Sequence, residues 1–336
     1  MKILVTGGAG FIGSNFIRHI LNKNPDYKVV NLDKLTYAGN PDNLKDIEKN
    51  PNYTFIKGDI CDPGVVEKAI KGCDCLVNFA AETHVDKSIL DASDFVRTNV
   101  LGTHILLERA RAFKVAKFIQ ISTDEVYGSI EEGSFSEDSP LFPNSPYAAS
   151  KAGADYLCRS YFRTFGLPII ITRSSNNFGP YQYPEKFLAL TVTNALENKK
   201  IPVYGEGKNV RDWLYVKDNC DAIEFILKNG RDGEIYNISG GFEVSNIDLA
   251  KSVLKKLDLD FKLLEFVKDR PGHDLRYSLS SLKLKSLGWE RRRDFDEALN
   301  ETIEWYKKNV PWWQRIKQKD RGYQEYYKMQ YEKRNL

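Results

Sequence analysis

Two residues that can move a proton, Tyr147 and Lys151, lie four positions apart in the stretch SPYAASKAGADYL. On a helix this spacing places both side chains on one face. An ammonium group close to a phenol favours the phenolate, so we expect the pKa of Tyr147 to lie below its ordinary value of about 10. Such a tyrosine can accept the proton of a substrate alcohol as the alcohol is oxidised. The same spacing occurs where a core aromatic residue precedes a solvated lysine, so the neighbouring motifs decide between the two interpretations.

Three further residues with reactive side chains, Thr123, Asp124 and Glu125, follow the apolar run KFIQIS. That run is typical of a buried strand, and neighbouring side chains on a strand point to opposite faces. Both carboxylates can therefore reach one substrate only if the strand ends here, as the following VYGSIEEGS indicates. Two carboxyl groups in one enclosed site resist ionising together, which leaves one protonated and able to donate. We interpret the group as a catalytic acid and base rather than as a solvated turn.

The stretch VTGGAGFIGSN predicts a dinucleotide site. Gly7, Gly10 and Gly13 follow the apolar run KILV and open a helical pattern. Glycines permit the tight turn and let a pyrophosphate approach the backbone N–H groups at a helix N-terminus. Asp33 ends the next apolar run, 20 residues after Gly13. A carboxylate there binds the ribose hydroxyls and repels a 2′-phosphate, so the pattern favours NAD over NADP.

Short apolar runs alternate with helical stretches through the first half of the chain. The runs are rich in Val, Ile and Phe: KILVTG, KVVNLD, YTFIKG, CLVNFAA, KFIQIS and LPIIITRS. This alternation predicts an α/β fold, a Rossmann-type doubly wound parallel sheet with helices on both faces. Ligands bind at the carboxyl ends of the strands in such sheets, which is where the reactive residues lie.

A change of composition after Gly179 predicts a second unit. Pro and Gly become frequent there, as in FGPYQYPEK and DRPGHD, and the apolar runs become shorter. We expect residues 1–179 to form the NAD-binding domain and residues 180–336 to form a smaller C-terminal mixed α/β substrate lobe. Segments of the two units are expected to interleave.

The composition of the 336 residues excludes several classes of protein. Lys and Arg total 49 against 46 for Asp and Glu, a net charge of +3 that argues against nucleic-acid binding. The start MKILVTGG lacks a signal-peptide segment, and no apolar run has membrane-spanning length. Five cysteines, an odd number, predict reduced thiols and a cytoplasmic protein. Neither the pair Cys73 and Cys75 nor the four histidines predict a metal site.

Many motifs in order carry a resemblance to a known family. They are TGGAGFIGSNF, DKLTYAGN, AAETHVDKSI, STDEVYG, SPYAASKA, SNNFGPYQYPEK, YGEGKNVRDWLYVKDN, DRPGHDLRY and, more loosely, GYQEYYKMQYEKR. The chain resembles the extended short-chain dehydrogenase/reductases that act on nucleotide sugars. More narrowly, it is similar to the dTDP-glucose 4,6-dehydratase family over nearly its whole length.

The resemblance implies a complete reaction for the reactive residues. Tyr147 and Lys151, with NAD, would oxidise the hexose at carbon 4, and Thr123 would hydrogen-bond the reacting oxygen. Glu125 would then remove the acidified proton at carbon 5, and Asp124 would protonate the hydroxyl that leaves carbon 6. Return of the hydride to carbon 6 regenerates NAD. The product implied is dTDP-4-keto-6-deoxyglucose.

The resemblance also implies the residues that bind the two ligands. The expected cofactor-binding residues are Gly7, Gly10, Phe11, Ile12, Gly13, Asp33, Lys34, Leu35, Thr36, Asp59, Ile60, Phe79, Ala80, Ala81, Thr83, Thr98, Tyr147, Lys151 and Asn177. The expected substrate-binding residues are Thr83, Thr123, Asn176, Lys186, Phe187, Pro202, Val203, Tyr204, Arg211, Asn246, Asp269, Arg270, Pro271, Gly272, His273 and Tyr331.

Several alternatives remain open at this point. A UDP-glucose 4,6-dehydratase would share the chemistry and differ only in its contacts to the base. Epimerases and decarboxylases of the resembled family lack an acid at the position of Asp124, so this residue disfavours both. A non-catalytic NAD-sensing protein would need neither Tyr147 nor Lys151. The resemblance further implies a homodimer paired through helices that flank the sheet, and it fits the rhamnose pathway and other deoxysugar pathways alike.

Overall fold

A parallel sheet of seven strands lies at the centre of the computed structural model, which describes residues 1–269 and 271–332. The strands of the described residues are β1 (Lys2–Thr6), β2 (Lys28–Asp33), β3 (Tyr53–Lys57), β4 (Cys75–Asn78), β5 (Lys117–Thr123), β6 (Ile169–Ser174), β7 (Asn176–Phe178), β8 (Ile201–Tyr204), β9 (Val210–Tyr215), β10 (Ile235–Ile238), β11 (Glu243–Ser245) and β12 (Leu264–Val267). The α-helices are α1 (Phe11–Lys23), α2 (Pro63–Ile70), α3 (Val85–Leu90), α4 (Ser93–Phe95), α5 (Thr103–Ala112), α6 (Pro146–Phe165), α7 (Phe187–Leu196), α8 (Val216–Asn229), α9 (Asn246–Lys256), α10 (Leu282–Ser286), α11 (Phe295–Lys308), α12 (Val310–Lys319) and α13 (Arg321–Tyr327). Shorter 3-10 helices span Pro41–Leu44, Asp124–Tyr127 and Phe261–Leu263, and π-helical segments span Val96–Gly102 and Lys328–Glu332.

The order of strands in the main sheet is β10-β6-β5-β4-β1-β2-β3, and each neighbouring pair is parallel. From β1 the chain builds outward to β2 and β3, and it then crosses back to β4 on the other side of β1. This reversal leaves a crevice beyond the carboxyl ends of β1 and β4, where doubly wound sheets bind ligands. The order confirms the predicted Rossmann-type α/β class.

Burial explains why the predicted apolar runs become strands. Every residue of β4 and β6 is buried, as expected for parallel strands that helices cover on both faces. The run KVVNLD coincides with β2, whereas CLVNFAA continues past Asn78, the last residue of β4. The three extra residues, 79–81, leave the sheet and border the crevice.

Successive side chains of β1 divide between two apolar cores, one on each face of the sheet. Ile3 and Val5 belong to the core that includes α1 and α8, and Leu4 belongs to the core that includes α2, α5 and α6. Helices α1 and α6 therefore lie on opposite faces of the sheet. The first turns of both helices border the same crevice, so the fold brings the glycine motif and the Tyr147–Lys151 pair together.

Two small sheets, β11-β9-β7 and β12-β8, come from the second half of the chain. Only Ser175 separates β6 from β7, so the first small sheet begins at the carboxyl edge of the main sheet. β10 and α8 also follow residue 180 in the chain, yet they belong to the main sheet and its covering layer. The division into residues 1–179 and 180–336 stays a prediction.

Two expectations drawn from composition concern the state of the cysteines and the presence of membrane-spanning helices. All five cysteines are free thiols. Burial raises the pKa of Cys73 and of Cys75 to about 11, so both behave as small apolar residues, Cys75 at the start of β4 and Cys73 just before it. Among residues 1–269 and 271–332, no helix combines the length and apolarity that crossing a membrane requires.

Candidate active site

The predicted acid and base lie where β5 gives way to a helix. β5 ends at Thr123, and the 3-10 helix Asp124–Tyr127 follows directly. The Thr123 hydroxyl accepts a hydrogen bond from the Glu125 backbone N–H at 3.3 Å and donates one to Asp124 Oδ1 at 3.1 Å. Because the tight helix replaces the alternation of a strand, Thr123, Asp124 and Glu125 all border one cavity. The expected break in the strand is confirmed.

The environment of Asp124 suits a proton donor. The residue is 3% exposed, and its Oδ2 atom has no hydrogen-bond partner among the described residues. Burial, followed by the negative charge of Glu125, raises the pKa of Asp124 to about 8, while the Arg211 guanidinium acts more weakly in the opposite direction. Asp124 is therefore protonated at neutral pH, which is the state that a general acid requires.

The raised pKa of Asp124 makes the stability of the fold depend on pH. The ordinary value is 3.8, so between about pH 4 and pH 8 the folded state binds a proton that the unfolded state has released. The contribution of Asp124 to stability is complete below about pH 4 and is lost as the pH rises through about 8, with a slope of at most about 1.4 kcal/mol per pH unit.

We expect Asp124→Asn to remove this slope. The measurement is the free energy of unfolding in urea for both proteins at several values between about pH 5 and pH 8. The difference between variant and wild type should grow in favour of the variant as the pH rises. Parallel curves across this range would contradict the raised pKa.

The local sequence places Tyr147 and Lys151 at the start of α6. Ser145 caps the helix by accepting a hydrogen bond from the Ala148 N–H at 3.1 Å, and Pro146 occupies the first helical position. The pair therefore falls in the first two turns, at the end of α6 that borders the cavity. Both residues are buried, at 7% and 4% exposure.

The pKa of Tyr147 differs from the sequence-based expectation. Burial, followed by the charge of Glu125, raises this pKa above its ordinary value. The predicted lowering by Lys151 is wrong for this structure, because the Lys151 Nζ donates a hydrogen bond to the Ile121 carbonyl oxygen at 2.6 Å and burial outweighs any nearby positive charge. Among the neighbours of Tyr147, the Thr123 side chain acts in the opposite direction and lowers this pKa.

The glycine motif forms a close turn at the start of α1. Gly7 has a φ of +68°, and a Cβ at Gly13 would lie 2.4 Å from the Gly7 carbonyl oxygen. Neither position therefore accepts a larger residue without a shift of the backbone. At the end of β2, Asp33 accepts hydrogen bonds at 2.8 Å from the backbone N–H groups of Ala9 and Leu35, which orients its carboxylate next to the turn.

These features fit NAD, the cofactor predicted from the sequence. The cavity has a volume of about 350 Å³ and reaches from the glycine turn to the acid–base segment. Of the predicted cofactor-binding residues, all except Leu35 border it. The backbone N–H groups at the start of α1 suit a pyrophosphate, and the carboxylate of Asp33 suits the ribose hydroxyls.

Gly13→Ala tests the glycine turn. Its new Cβ would lie 2.4 Å from the Gly7 carbonyl oxygen, so the turn must open and we expect the affinity for NAD to fall by about tenfold or more. The measurement is calorimetric titration with NAD. The matched control is Gly64→Ala near the start of α2, where the nearest atom lies 3.4 Å from the new Cβ. Equal affinities in the two variants would contradict the assignment.

The predicted substrate-binding residues divide into two groups. Those that border the cavity are Thr83, Thr123, Asn176, Lys186 and Phe187. The other described residues of the set lie outside its lining: Pro202, Val203, Tyr204, Arg211, Asn246, Asp269, Pro271, Gly272, His273 and Tyr331. Arg270 lies outside the described residues.

Members of the outer group contact one another. The Tyr204 ring lies 5.9 Å from the His273 ring and 5.8 Å from the Tyr331 ring, measured between centroids. His273 Nδ1 lies 2.6 Å from Asp269 Oδ1. These three rings form an aromatic cluster in the second half of the chain.

Sequence reasoning missed two carboxylates that border the cavity, Glu82 and Glu185. Burial raises the pKa of Glu82 to about 7, and burial also raises the pKa of Glu185. Each residue adjoins a predicted one, Thr83 or Lys186. Their position next to Thr83 and Lys186 was the signal in the sequence that could have placed them at the cavity. Their burial could not be predicted, because it depends on contacts between distant parts of the chain.

The chain is similar to known proteins over most of its length. The family model described as GDP-mannose 4,6 dehydratase matches residues 4–302. A dTDP-glucose 4,6-dehydratase of Streptomyces niveus is 50% identical over 325 residues, which cover 95% of this chain and 97% of that protein. Low-salt glycan biosynthesis protein Agl12 of Haloferax volcanii is 50% identical over 306 residues, or 91% of this chain and 98% of that protein.

A solved structure resembles the fold closely. The crystal structure of DesIV, a dTDP-glucose 4,6-dehydratase from Streptomyces venezuelae with NAD bound, has a TM-score of 0.92 to this chain. The two sequences are 49% identical, and the match covers 94% of this chain and 100% of that chain. The similarity therefore extends over both the main sheet and the second half of the chain.

Proposed function

Because the chain belongs to the GDP-mannose 4,6 dehydratase family, we propose that it removes water from dTDP-glucose to give dTDP-4-keto-6-deoxyglucose. It is an NAD-dependent enzyme, a hydro-lyase of the extended short-chain dehydrogenase/reductase type. The observation that carries the proposal is the buried Asp124, whose pKa is raised to about 8, beside Glu125 in the cavity that Tyr147 and Lys151 also border. The names of the relatives support the same reaction.

The oxidation at carbon 4 depends on Tyr147, Lys151 and Thr123. When bound, NAD supplies a positive charge, the hydride acceptor for carbon 4 and the hydride that carbon 6 later receives. Tyr147 must be in its phenolate form to take the proton of the carbon 4 hydroxyl. Burial opposes that form, whereas the Thr123 side chain and the positive charge of bound NAD would favour it. The side chain of Lys151 is fixed by the Ile121 carbonyl oxygen at 2.6 Å, and in its protonated form it adds a positive charge to the cavity one helical turn from Tyr147.

The elimination depends on the adjacent carboxyl groups. A ketone at carbon 4 acidifies the proton at carbon 5, which Glu125 removes as the base. The bond between carbon 6 and its hydroxyl then breaks, and Asp124 donates its proton so that water leaves rather than hydroxide. The different roles of Asp124 and Glu125 follow from the raised pKa of Asp124.

Two rival activities differ from the proposal in testable ways. A UDP-glucose 4,6-dehydratase would use the same catalytic residues, and Tyr204 with the outer residues of the substrate set would decide between the bases. An epimerase or decarboxylase would form the keto intermediate without expelling the hydroxyl. Asp124 disfavours the epimerase and the decarboxylase, because a buried protonated carboxyl group has no role in those two reactions.

The direct test supplies dTDP-glucose and UDP-glucose separately to the purified protein. We expect a 4-keto-6-deoxy sugar from dTDP-glucose, detected by its absorbance after alkali, with no net consumption of NAD. Product from UDP-glucose alone would overturn the substrate assignment. Epimerised hexose without a deoxy sugar would overturn the reaction assignment.

We further propose a homodimer in the cytoplasm that serves a deoxysugar pathway such as that of rhamnose. Large apolar side chains stay exposed on α6 and on the π-helical segment before α5, at 46% and 54% exposure: Leu101 and Tyr156. A second copy that covers them would remove this surface from water. The free thiols suit a reducing compartment. Light scattering of the protein in solution tests the dimer, and a monomer mass would refute it.

A further inference from the structure

Arg173, Asp155 and Tyr127 form a buried hydrogen-bonded network next to the catalytic residues. Arg173 on β6 donates a hydrogen bond from Nε to Asp155 Oδ2 at 2.9 Å and another from Nη1 to the Tyr127 hydroxyl oxygen at 2.8 Å. The side chains of Arg173 and Asp155 are 3% and 2% exposed. The guanidinium also lies 4.7 Å from the centre of the Tyr127 ring. None of the three residues borders the cavity, so none touches the substrate or the cofactor there.

Asp155 connects the network to the oxidation machinery. It lies on α6 one turn after Lys151, which itself lies one turn after Tyr147, so the three side chains share a face of the helix. Burial lowers the pKa of Lys151, and the charge of Asp155 opposes that lowering. The other groups that act on Lys151 are Cys158 on the same helix and the Ile121 carbonyl oxygen on β5.

Tyr127 connects the network to the acid–base segment. It is the last residue of the 3-10 helix Asp124–Tyr127 and is 2% exposed. Its hydroxyl donates to Asn237 Oδ1 at 2.9 Å, and its ring stacks on Phe135 at 5.0 Å. A helix of four residues has few hydrogen bonds of its own. Its orientation therefore depends on its two ends, which are fixed by Thr123 at the start and by Tyr127 at the finish.

We propose that Tyr127, Arg173 and Asp155 are positioning residues that fix the acid–base segment relative to Lys151. This inference rests on the proposed function, because it assigns the network to two successive steps of that reaction. One guanidinium binds the helix that carries Lys151 and the helix that carries Asp124. The network would thereby hold the groups for oxidation at carbon 4 and those for loss of water at carbon 6 in a fixed arrangement.

Tyr127→Phe tests the acid–base side of the network. The variant keeps the ring and removes only the hydroxyl that binds Arg173 and Asn237. We expect steady-state formation of product to fall by about tenfold or more, since small displacements of catalytic groups are costly. The rate of NAD reduction in the first turnover should stay within about twofold of wild type, because Lys151 is untouched. Reduced NAD should therefore accumulate, which a stopped-flow absorbance trace records.

The matched control is Tyr236→Phe. Tyr236 lies next to Asn237 on β10 and is also 2% exposed. Its hydroxyl accepts a hydrogen bond from the Arg231 N–H at 3.1 Å, which the variant lacks. We expect it to keep the kinetics of wild type. A Tyr127→Phe trace equal to that of Tyr236→Phe, or equal losses in both steps, would overturn the inference alone. A wild-type protein that forms no keto product from dTDP-glucose would instead overturn the proposed function.

Asp155→Asn tests the other side of the network. Without the charge of Asp155, burial lowers the pKa of Lys151 further, so Lys151 loses its proton at lower pH. We expect slower reduction of NAD in the first turnover and an alkaline limb of the rate profile that begins at lower pH than in wild type. An alkaline limb at the wild-type pH would overturn the role of Asp155.

Discussion

Asp124→Asn is expected to lower formation of the 4-keto-6-deoxy product by about 10²- to 10⁴-fold, the usual contribution of a positioned general acid. The amide keeps the shape of the side chain but has no acidic proton, so the hydroxyl at carbon 6 cannot leave as water. NAD should still be reduced in the first turnover, because Tyr147 and Lys151 are unchanged. Rapid quenching with mass analysis would then find the 4-keto hexose with its carbon 6 hydroxyl retained.

The control for this variant is Asp138→Asn, which makes the same chemical change at an exposed position after β5. It should turn over as wild type does. Wild-type turnover in Asp124→Asn would refute the acid role. Loss of NAD reduction as well as of product would show that Asp124 acts before the elimination.

Tyr147→Phe is expected to stop the reaction one step earlier. Removal of the Tyr147 hydroxyl leaves no group to take the proton from the carbon 4 hydroxyl as its hydride leaves, so reduction of NAD should slow by about 10²- to 10⁴-fold. Neither reduced NAD nor product should accumulate. The measurement is the same stopped-flow trace, recorded with dTDP-glucose in excess over the protein.

The matched control for Tyr147→Phe is Tyr161→Phe on the same helix. The Tyr161 hydroxyl donates a hydrogen bond to Glu108 Oε1 at 2.5 Å and lies 3.0 Å from His104 Nδ1. Tyr161 does not border the cavity. This variant should reduce NAD at the wild-type rate. Accumulation of reduced NAD in Tyr147→Phe would contradict its role in the first step and would move the proton transfer to another group.

The parts of the site that follow from local rules were predictable. Gly7 and Gly13 need the freedom of glycine at the turn, and Asp33 ends a strand, so their spacing by itself indicates a dinucleotide site. The end of β5 at Thr123 also follows from chemistry, because a strand cannot turn two adjacent carboxylates toward one substrate. Parallel strands are continuous apolar runs, which made β1 to β6 recognisable.

Other parts depend on contacts that sequence spacing does not reveal. The pKa of Tyr147 rises because the whole site is buried and Glu125 lies close, whereas spacing suggested only the influence of Lys151. Glu185 reaches the cavity through folding of the loop before α7. The pairing of Arg173 with Asp155 joins a strand to a helix, and no periodicity within either element predicts it.

The measurement that tests the reaction most directly follows a deuterium label. dTDP-glucose with deuterium at carbon 4 is incubated with the wild-type protein in ordinary water, and the product is analysed by NMR. Transfer within one active site predicts that the label appears in the carbon 6 methyl group and that a solvent proton appears at carbon 5. A label that is lost to water, or that remains at carbon 4 of a product with its hydroxyl intact, would contradict the account.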